Sequence, residues 1–211
     1  MEACGLGRVY GDIDKKAVLL KSTVTVVARG GIDNASTRMI GKEAGFQDAF
    51  IYRYFKDKED LLAYAYLLER EKFLNLAIRC IDRVREQMAD QKLLERYRTV
   101  FHTSWRYLLD TPDVCRFLVY YYNSPNFEKY ARMKYQEQSD SLTSHIVHLY
   151  DSEEYAKMCM YALFILLNSF GLRVVNGDLP DNAETEDKVC RVTYSAFCAH
   201  IKDSLLENTI D

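Results

Sequence analysis

The sequence predicts an all-α fold, three short helices followed by a longer helical region, and three observations carry that expectation. Nine Gly and three Pro in 211 residues leave too few turn-formers for a many-stranded sandwich or barrel. A composition of 48% hydrophobic and 28% charged residues is that of a globular protein and excludes wholesale disorder and collagen-like repeats. Apolar residues recur at three- and four-residue spacing over long stretches, and no segment alternates as a half-buried strand would. Val114–Tyr122 has β-formers, yet it sits between two proline turns.

Residues 14–29 place Ala17, Leu20, Val24, Val27 and Ala28 on one helical face, and Gly30-Gly31 stop it. Ser36 can N-cap a short helix from Thr37 to Ala44, which Gly45 would end in a left-handed turn. Phe50, Ile51 and Tyr54 support another short helix over Asp48–Phe55. Asp57 then caps a long helix, with Asp60 at the position where a capping box wants an acceptor. Its apolar stripe is Phe73, Ala77, Cys80, Ile81, Val84 and Met88. Beyond it, helices fit Leu93–Leu109, Val114–Tyr122, Phe127–Tyr150, Glu154–Val175 and Glu184–Leu206. The breaks are Thr111-Pro112-Asp113, Ser124-Pro125-Asn126, Asp151-Ser152 and Asn176-Gly177-Asp178-Leu179-Pro180.

Ser36 through Phe55 has the form of a helix-turn-helix. Gly41 permits a close approach, Gly45 supplies the turn, and Ile40, Ala44, Phe46 and Ile51 make a small core that fixes the crossing angle. The second short helix could then lie in a DNA major groove and present Gln47, Asp48, Ala49, Phe50 and Arg53. Charge agrees in sign: from Gly7 to Lys58 ten Lys and Arg stand against six Asp and Glu, within a chain of net charge −3. That local excess suits an anionic partner, and it equally suits a mildly basic solvated surface.

This segment resembles the DNA-binding domain of TetR-family transcriptional regulators. Ile40, Ala44-Gly45, Tyr52, Tyr54-Phe55, Lys58 and Leu61 match that pattern, and Ser36, Gly41, Phe46 and Ile51 replace its residues conservatively, over about the first 65 residues. The resemblance implies a homodimer on palindromic double-stranded DNA, usually a repressor, released when a small effector binds the C-terminal domain. It implies a helix-turn-helix DNA-binding domain over 8–56 and a helical effector-binding and dimerisation domain over 57–211. Ser36, Tyr52 and Lys58 would meet phosphates, with Thr37 beside them, while Asp48, Ala49 and Phe50 face the groove. Two departures matter: Gln47 replaces a Ser, and Asp48 stands where Lys or Arg is common. Asp48 fits two roles, accepting from a cytosine amino group or complementing the positive end of its own helix. A family-like scaffold with altered or lost DNA contacts, acting as a protein-binding adaptor, is the alternative that Asp48 keeps open.

The 16 Tyr, 10 Phe and one Trp include many residues between Tyr97 and Phe164. An aromatic pocket between helices is expected there, walled by Phe101, Trp105, Phe117, Tyr121, Tyr130, His145 and Phe164, with Asn168 or His145 orienting the ligand. Few charges fall on those faces, so the effector is expected to be apolar or aromatic rather than strongly anionic. The last two helices carry more apolar surface than one domain can cover, which fits a subunit interface or a central place in a bundle. Residues 158–175 and 189–205 are the expected two-fold contact.

The longest apolar run, Met158 to Leu167, is shorter than the ~20 residues of a membrane span, and the N-terminus lacks a signal-peptide core. A cytoplasmic protein with no membrane partner and reduced cysteines is the expectation. Gly5 to Gly11 has the wrong spacing for a nucleotide loop, and His145 and His148 have no third ligand at metal-site spacing. No nucleophile elbow or H-E-x-x-H occurs, so neither enzymatic activity nor a cofactor is expected.

Overall fold

Three helices start at a short polar side chain that caps them, and the three caps follow one pattern. Ser36 Oγ accepts from the Met39 N–H, Ser152 Oγ from Tyr155 and Asn182 Oδ1 from Thr185, each three residues into its helix. The computed structural model describes residues 4–202 and 205, with side chains from Lys15 onward. The order is α1 (Cys4–Gly30), α2 (Thr37–Ala44), a 3-10 turn (Asp48–Arg53), α3 (Lys58–Gln87), α4 (Leu93–Asp110), α5 (Pro112–Tyr122), α6 (Pro125–Tyr130), α7 (Arg132–Ser144), a second 3-10 turn (Val147–Leu149), α8 (Glu153–Val175) and α9 (Ala183–Phe197). Among the described residues there is no strand, and the one isolated bridge pairs Tyr150 with Ile201. The all-α expectation holds.

The chain forms two compact units. The first contains the N-terminal stretch through Glu69 together with Arg116–Arg132. Its core is built from Leu19, Leu20, Val24 and Val27 of α1, Ile40 of α2, Ile51, Phe55, and Leu61, Leu62 and Tyr66 of α3, with Phe117, Leu118 and Tyr121 of α5. The second contains Arg70–Cys115 and the chain from Met133 onward. There Leu93, Ile146, Tyr150, Ala156, Cys159, Phe197 and Ile201 form one apolar cluster, and Phe101, Trp105, Val174, Val189 and Cys190 form another.

Four expected elements differ. α1 begins at Cys4 rather than near residue 14, because its glycine-rich first turns carry no apolar period from which a start could be read. The expected single helix over Phe127–Tyr150 is α6, α7 and a 3-10 turn. Ala131 leaves helical geometry at φ −120°, and near the other end Ser139, Thr143 and Ser144 turn their hydroxyls onto carbonyls of the preceding turn. The second short helix of the motif is a 3-10 turn ending at Arg53, not an α-helix to Phe55.

The last helix stops at Phe197 instead of running to Leu206. His200 takes a left-handed φ of 60°, and its carbonyl accepts from the Asp151 N–H at 3.2 Å. The Lys202 N–H donates to the Leu149 carbonyl at 3.1 Å. This reversal buries Ile201 beside Tyr150, a gain a straight helix would forgo. Residues 203, 204 and 206 of that expected helix lie outside the described residues.

Candidate DNA-binding surface and ligand cavity

The helix-turn-helix is assembled around a backbone contact. The Phe46 N–H donates to the Gly41 carbonyl at 2.8 Å, and Gly45 turns the chain at φ 73°. A Cβ on Gly41 would sit 2.9 Å from Phe46 O, 3.1 Å from Asp48 N and 3.2 Å from Asp48 Cα. Only glycine lets α2 lie this close to the start of the 3-10 turn. Ile40 and Ile51, both fully buried, lock the two pieces together, and Arg29 of α1 pairs with Glu43 of α2 at 3.2 Å.

With Ile51 turned inward, Gln47, Asp48, Ala49, Tyr52 and Arg53 are exposed, while Ser36, Thr37, Phe50 and Lys58 are half-buried. Lys58 Nζ donates to the Ala35 carbonyl at 3.1 Å, ahead of α2. The Asp48 carboxylate accepts from the Ala49 N–H at 2.9 Å, so it satisfies a free donor at the start of its own turn. Phe50 packs between Phe46 at 5.0 Å and Tyr54 at 5.5 Å. Lys15 and Arg53 stand 5.6 and 5.1 Å from its ring. Lys15 and Lys16 belong to α1, outside the motif, and sequence reasoning did not place them here. Lys16 sits 3.9 Å from the ring of Tyr64, so the first unit combines cations with aromatic faces.

The second unit contains a half-open cavity of about 150 Å³. Phe73, Leu74, Ala77, Ile81 and Val84 of α3 form one wall, and Tyr97, Val100 and Phe101 of α4 another. Leu142, Ile146 and Leu149 close it from the α7 side, and Met160, Leu163, Phe164 and Leu167 from α8. Of the expected walls, Phe101, His145 and Phe164 line it. Trp105 is buried one layer behind, stacked on Phe101 at 5.7 Å. Asn168 is buried too, but off the cavity wall, and spends its amide N–H on the Phe164 carbonyl at 2.8 Å. Phe117 and Tyr121 are core residues of the first unit, where Tyr121 stacks on Tyr66 at 4.8 Å. Tyr130 is partly exposed beside Lys129. None of these three borders the cavity.

The α3 wall was legible as an apolar stripe but not as cavity lining. More consequential is what the apolar count hid. Arg85, Arg96 and His148 also line the cavity, more charge than the few expected on its apolar faces, and the expectation that these faces offer an anion no Arg or Lys partner is corrected. They escaped notice because each sits at a helix end, where the apolar stripe gives out. His145 keeps its ring in place by donating from Nδ1 to the Ser141 carbonyl at 2.9 Å. Burial, then Arg85, Arg96 and Lys202, hold His148 below the usual histidine range. Among the described residues no cluster of His, Cys, Asp and Glu could hold a metal ion.

α8 is long and apolar enough to cross a bilayer by length and composition alone, yet it packs against α4 and α9. Its remaining face is not covered: Met158 and Ile165 are exposed, as is Val192 on α9.

A DNA-binding fold of helix-turn-helix type, followed in the chain by a helical unit with a cavity, is the class that this geometry defines. Residues 19–65 match the family described as "Bacterial regulatory proteins, tetR family". A TetR-family transcription regulator from Marinobacter aquaeolei VT8 superimposes with a TM-score of 0.71 at 21% identity, covering 89% of this chain and 97% of that one. A TetR-like regulator from Rhodococcus sp. RHA1 does so at 0.61 and 17%, covering 87% and 95%. An uncharacterized HTH-type transcriptional regulator of Haemophilus influenzae is 28% identical over 112 residues, and the match covers 52% of this chain and 56% of that protein. The N-terminal region is therefore similar to the helix-turn-helix domain of that family, and the chain has the all-helical fold of solved TetR-family regulators.

Proposed function

We propose that this protein is a cytoplasmic, homodimeric transcriptional repressor that binds a palindromic operator and leaves it when a small molecule fills the cavity of its second unit. It acts by binding, not by catalysis. The observation that carries this is the exposed turn Gln47–Arg53, held rigidly by Gly41, Ile40 and Ile51 and flanked by Lys15 and Lys58. In this role Ser36, Thr37, Tyr52 and Lys58 meet phosphates, and Gln47, Ala49, Phe50 and Arg53 meet the groove. Phe50 contributes through its edge, since its faces are occupied by Phe46, Tyr54 and Arg53. Asp48 serves as the local cap.

Met158, Ile165 and Val192 are the exposed apolar residues that support a two-fold contact through α8 and α9. Two copies would then bury a stripe that water otherwise faces. α3 begins in the first unit and lines the cavity with its later turns, which makes it the element through which occupancy can reach the DNA-binding turn. On this reading residues 8–56 bind DNA and residues 57–211 hold the effector and the dimer contact.

The test is selection from a random duplex library with purified, ligand-free protein. A palindromic consensus is expected, with Lys58→Ala weakening all duplexes alike and lowering the salt slope by about 1. Phe50→Leu should change sequence preference instead. No site preference at all would transfer the function to a protein-binding adaptor.

A further inference from the structure

The cavity of the second unit carries its charged side chains at one end only. α3 and α4 run antiparallel along it: Cys80 Sγ lies 3.8 Å from the Thr99 carbonyl, and Thr99 Oγ1 3.7 Å from Met88 Sδ. From Phe73 to Arg85, α3 supplies a wall about 18 Å long at 1.5 Å per residue. Phe73, packed on Phe164, shares the lining with Leu74, Phe101 and Leu167, and Ser104 and Thr193 are its uncharged polar side chains. Around Arg85 stand Arg96, His148 and His145. Lys202 adjoins them, its Nζ donating to the His148 carbonyl at 2.9 Å.

Among the described residues the counter-charge at that end is Asp82, and it is already committed. Asp82 pairs with Arg85 at 3.0 Å and lies 3.9 Å from His145 Nε2. Arg96 is different, for its Nε is buried and meets no acceptor among the described residues. A cationic donor withdrawn from water without an acceptor is costly, and the cost disappears when an anion arrives. A neutral hydrocarbon would fill the apolar end and leave Arg96 Nε unsatisfied, while a cation would meet Arg85, Arg96 and Lys202.

We propose that the cavity takes an amphipathic carboxylate, its hydrocarbon tail along Ala77, Phe101 and Phe164 and its carboxylate on Arg96 and His148. This rests on the cavity being the effector site. Arg96 sets the head-group preference because a guanidinium meets a carboxylate through paired donors, and its buried Nε has no acceptor among the described residues. The apolar lining sets a preference for chain or ring over a small polar acid.

Trp105 is the sole tryptophan and stacks on the cavity residue Phe101, so its fluorescence reports occupancy in the full chain. Decanoate, decanol and decyltrimethylammonium are titrated at pH 7. Decanoate is expected to bind at least about tenfold tighter than decanol, a difference of about 1.4 kcal/mol, with the ammonium weakest. Arg96→Met should bring decanoate to the decanol level while leaving decanol binding unchanged, and Arg96→Lys should keep part of the preference. Equal affinity of wild type for decanoate and decanol overturns the head-group assignment and leaves the effector cavity standing. Tighter binding of the ammonium overturns the assignment as well. No response to any of the three overturns both.

Discussion

Gly41 and His148 are the residues whose chemistry is most constrained by their surroundings. A methyl on Gly41 would meet backbone atoms of Phe46 and Asp48, which cannot swing aside as a side chain could. Alanine would gain about 1 kcal/mol of helix propensity, but such overpacking costs about 1–3 kcal/mol. Gly41→Ala is therefore expected to lower the thermal midpoint by a few degrees in calorimetry and to weaken binding to every duplex, since the Gln47–Arg53 turn must move. At His148, burial and the cations Arg85, Arg96 and Lys202 favour the neutral ring. Below the ordinary value of 6.5 the unfolded chain takes up a proton that the native imidazole resists. Stability is thus lost as pH falls through the window just beneath 6.5. Urea midpoints at pH 7.5 and 5.5 should differ more for wild type than for His148→Asn. Cys190, pushed up to about 11 by burial, should stay unreactive toward thiol reagents at pH 7 in the native state.

At the scale of elements, α8 and α9 divide their apolar residues between two duties. Cys159, Val189, Cys190 and Phe197 turn inward, whereas Met158, Ile165 and Val192 face out. Ile165→Glu and Val192→Asp should therefore yield a folded monomer by light scattering, with helical circular dichroism retained. Phe197→Asp should behave differently. Its ring packs 4.9 Å from Tyr97 and 6.0 Å from Tyr150, inside one chain, so the charge would unfold the second unit rather than divide a dimer. A monomer should also lose roughly 10²–10⁴-fold in affinity for a palindrome, because the second half-site no longer binds as part of the same particle. An Ile165→Glu protein that remains dimeric would move the contact to another face.

For the whole molecule the prediction is reciprocity. If decanoate lowers affinity for the selected operator by some factor, operator must lower affinity for decanoate by the same factor. Fluorescence anisotropy of labelled duplex and Trp105 fluorescence measure the two sides independently. A ligand that binds both states equally would quench Trp105 and release nothing. Binding of decanoate with unchanged operator affinity would separate occupancy from regulation and count against the repressor mechanism.

The sequence by itself determined the parts whose physics is local. Ser36, Gly45 and the Ile40–Ile51 pair specify the helix-turn-helix because caps, a left-handed turn and a small apolar core act within twenty residues. The long helices were legible from apolar period, and the resemblance of the first 65 residues was carried by residues at fixed spacing. Tertiary structure decided the rest. Whether an apolar stripe faces a core, a cavity or water depends on what packs opposite, which is why Trp105, Phe117 and Tyr121 became packing while Ile81 and Leu163 became cavity wall. The end of α9 was decided by Ile201 finding Tyr150, a partner fifty residues earlier. The cationic end of the cavity was decided by three helix termini and turns meeting around His148. Lys202 is far from Arg85 and Arg96 in the chain, and only the fold turns the three into one electrostatic site around His148.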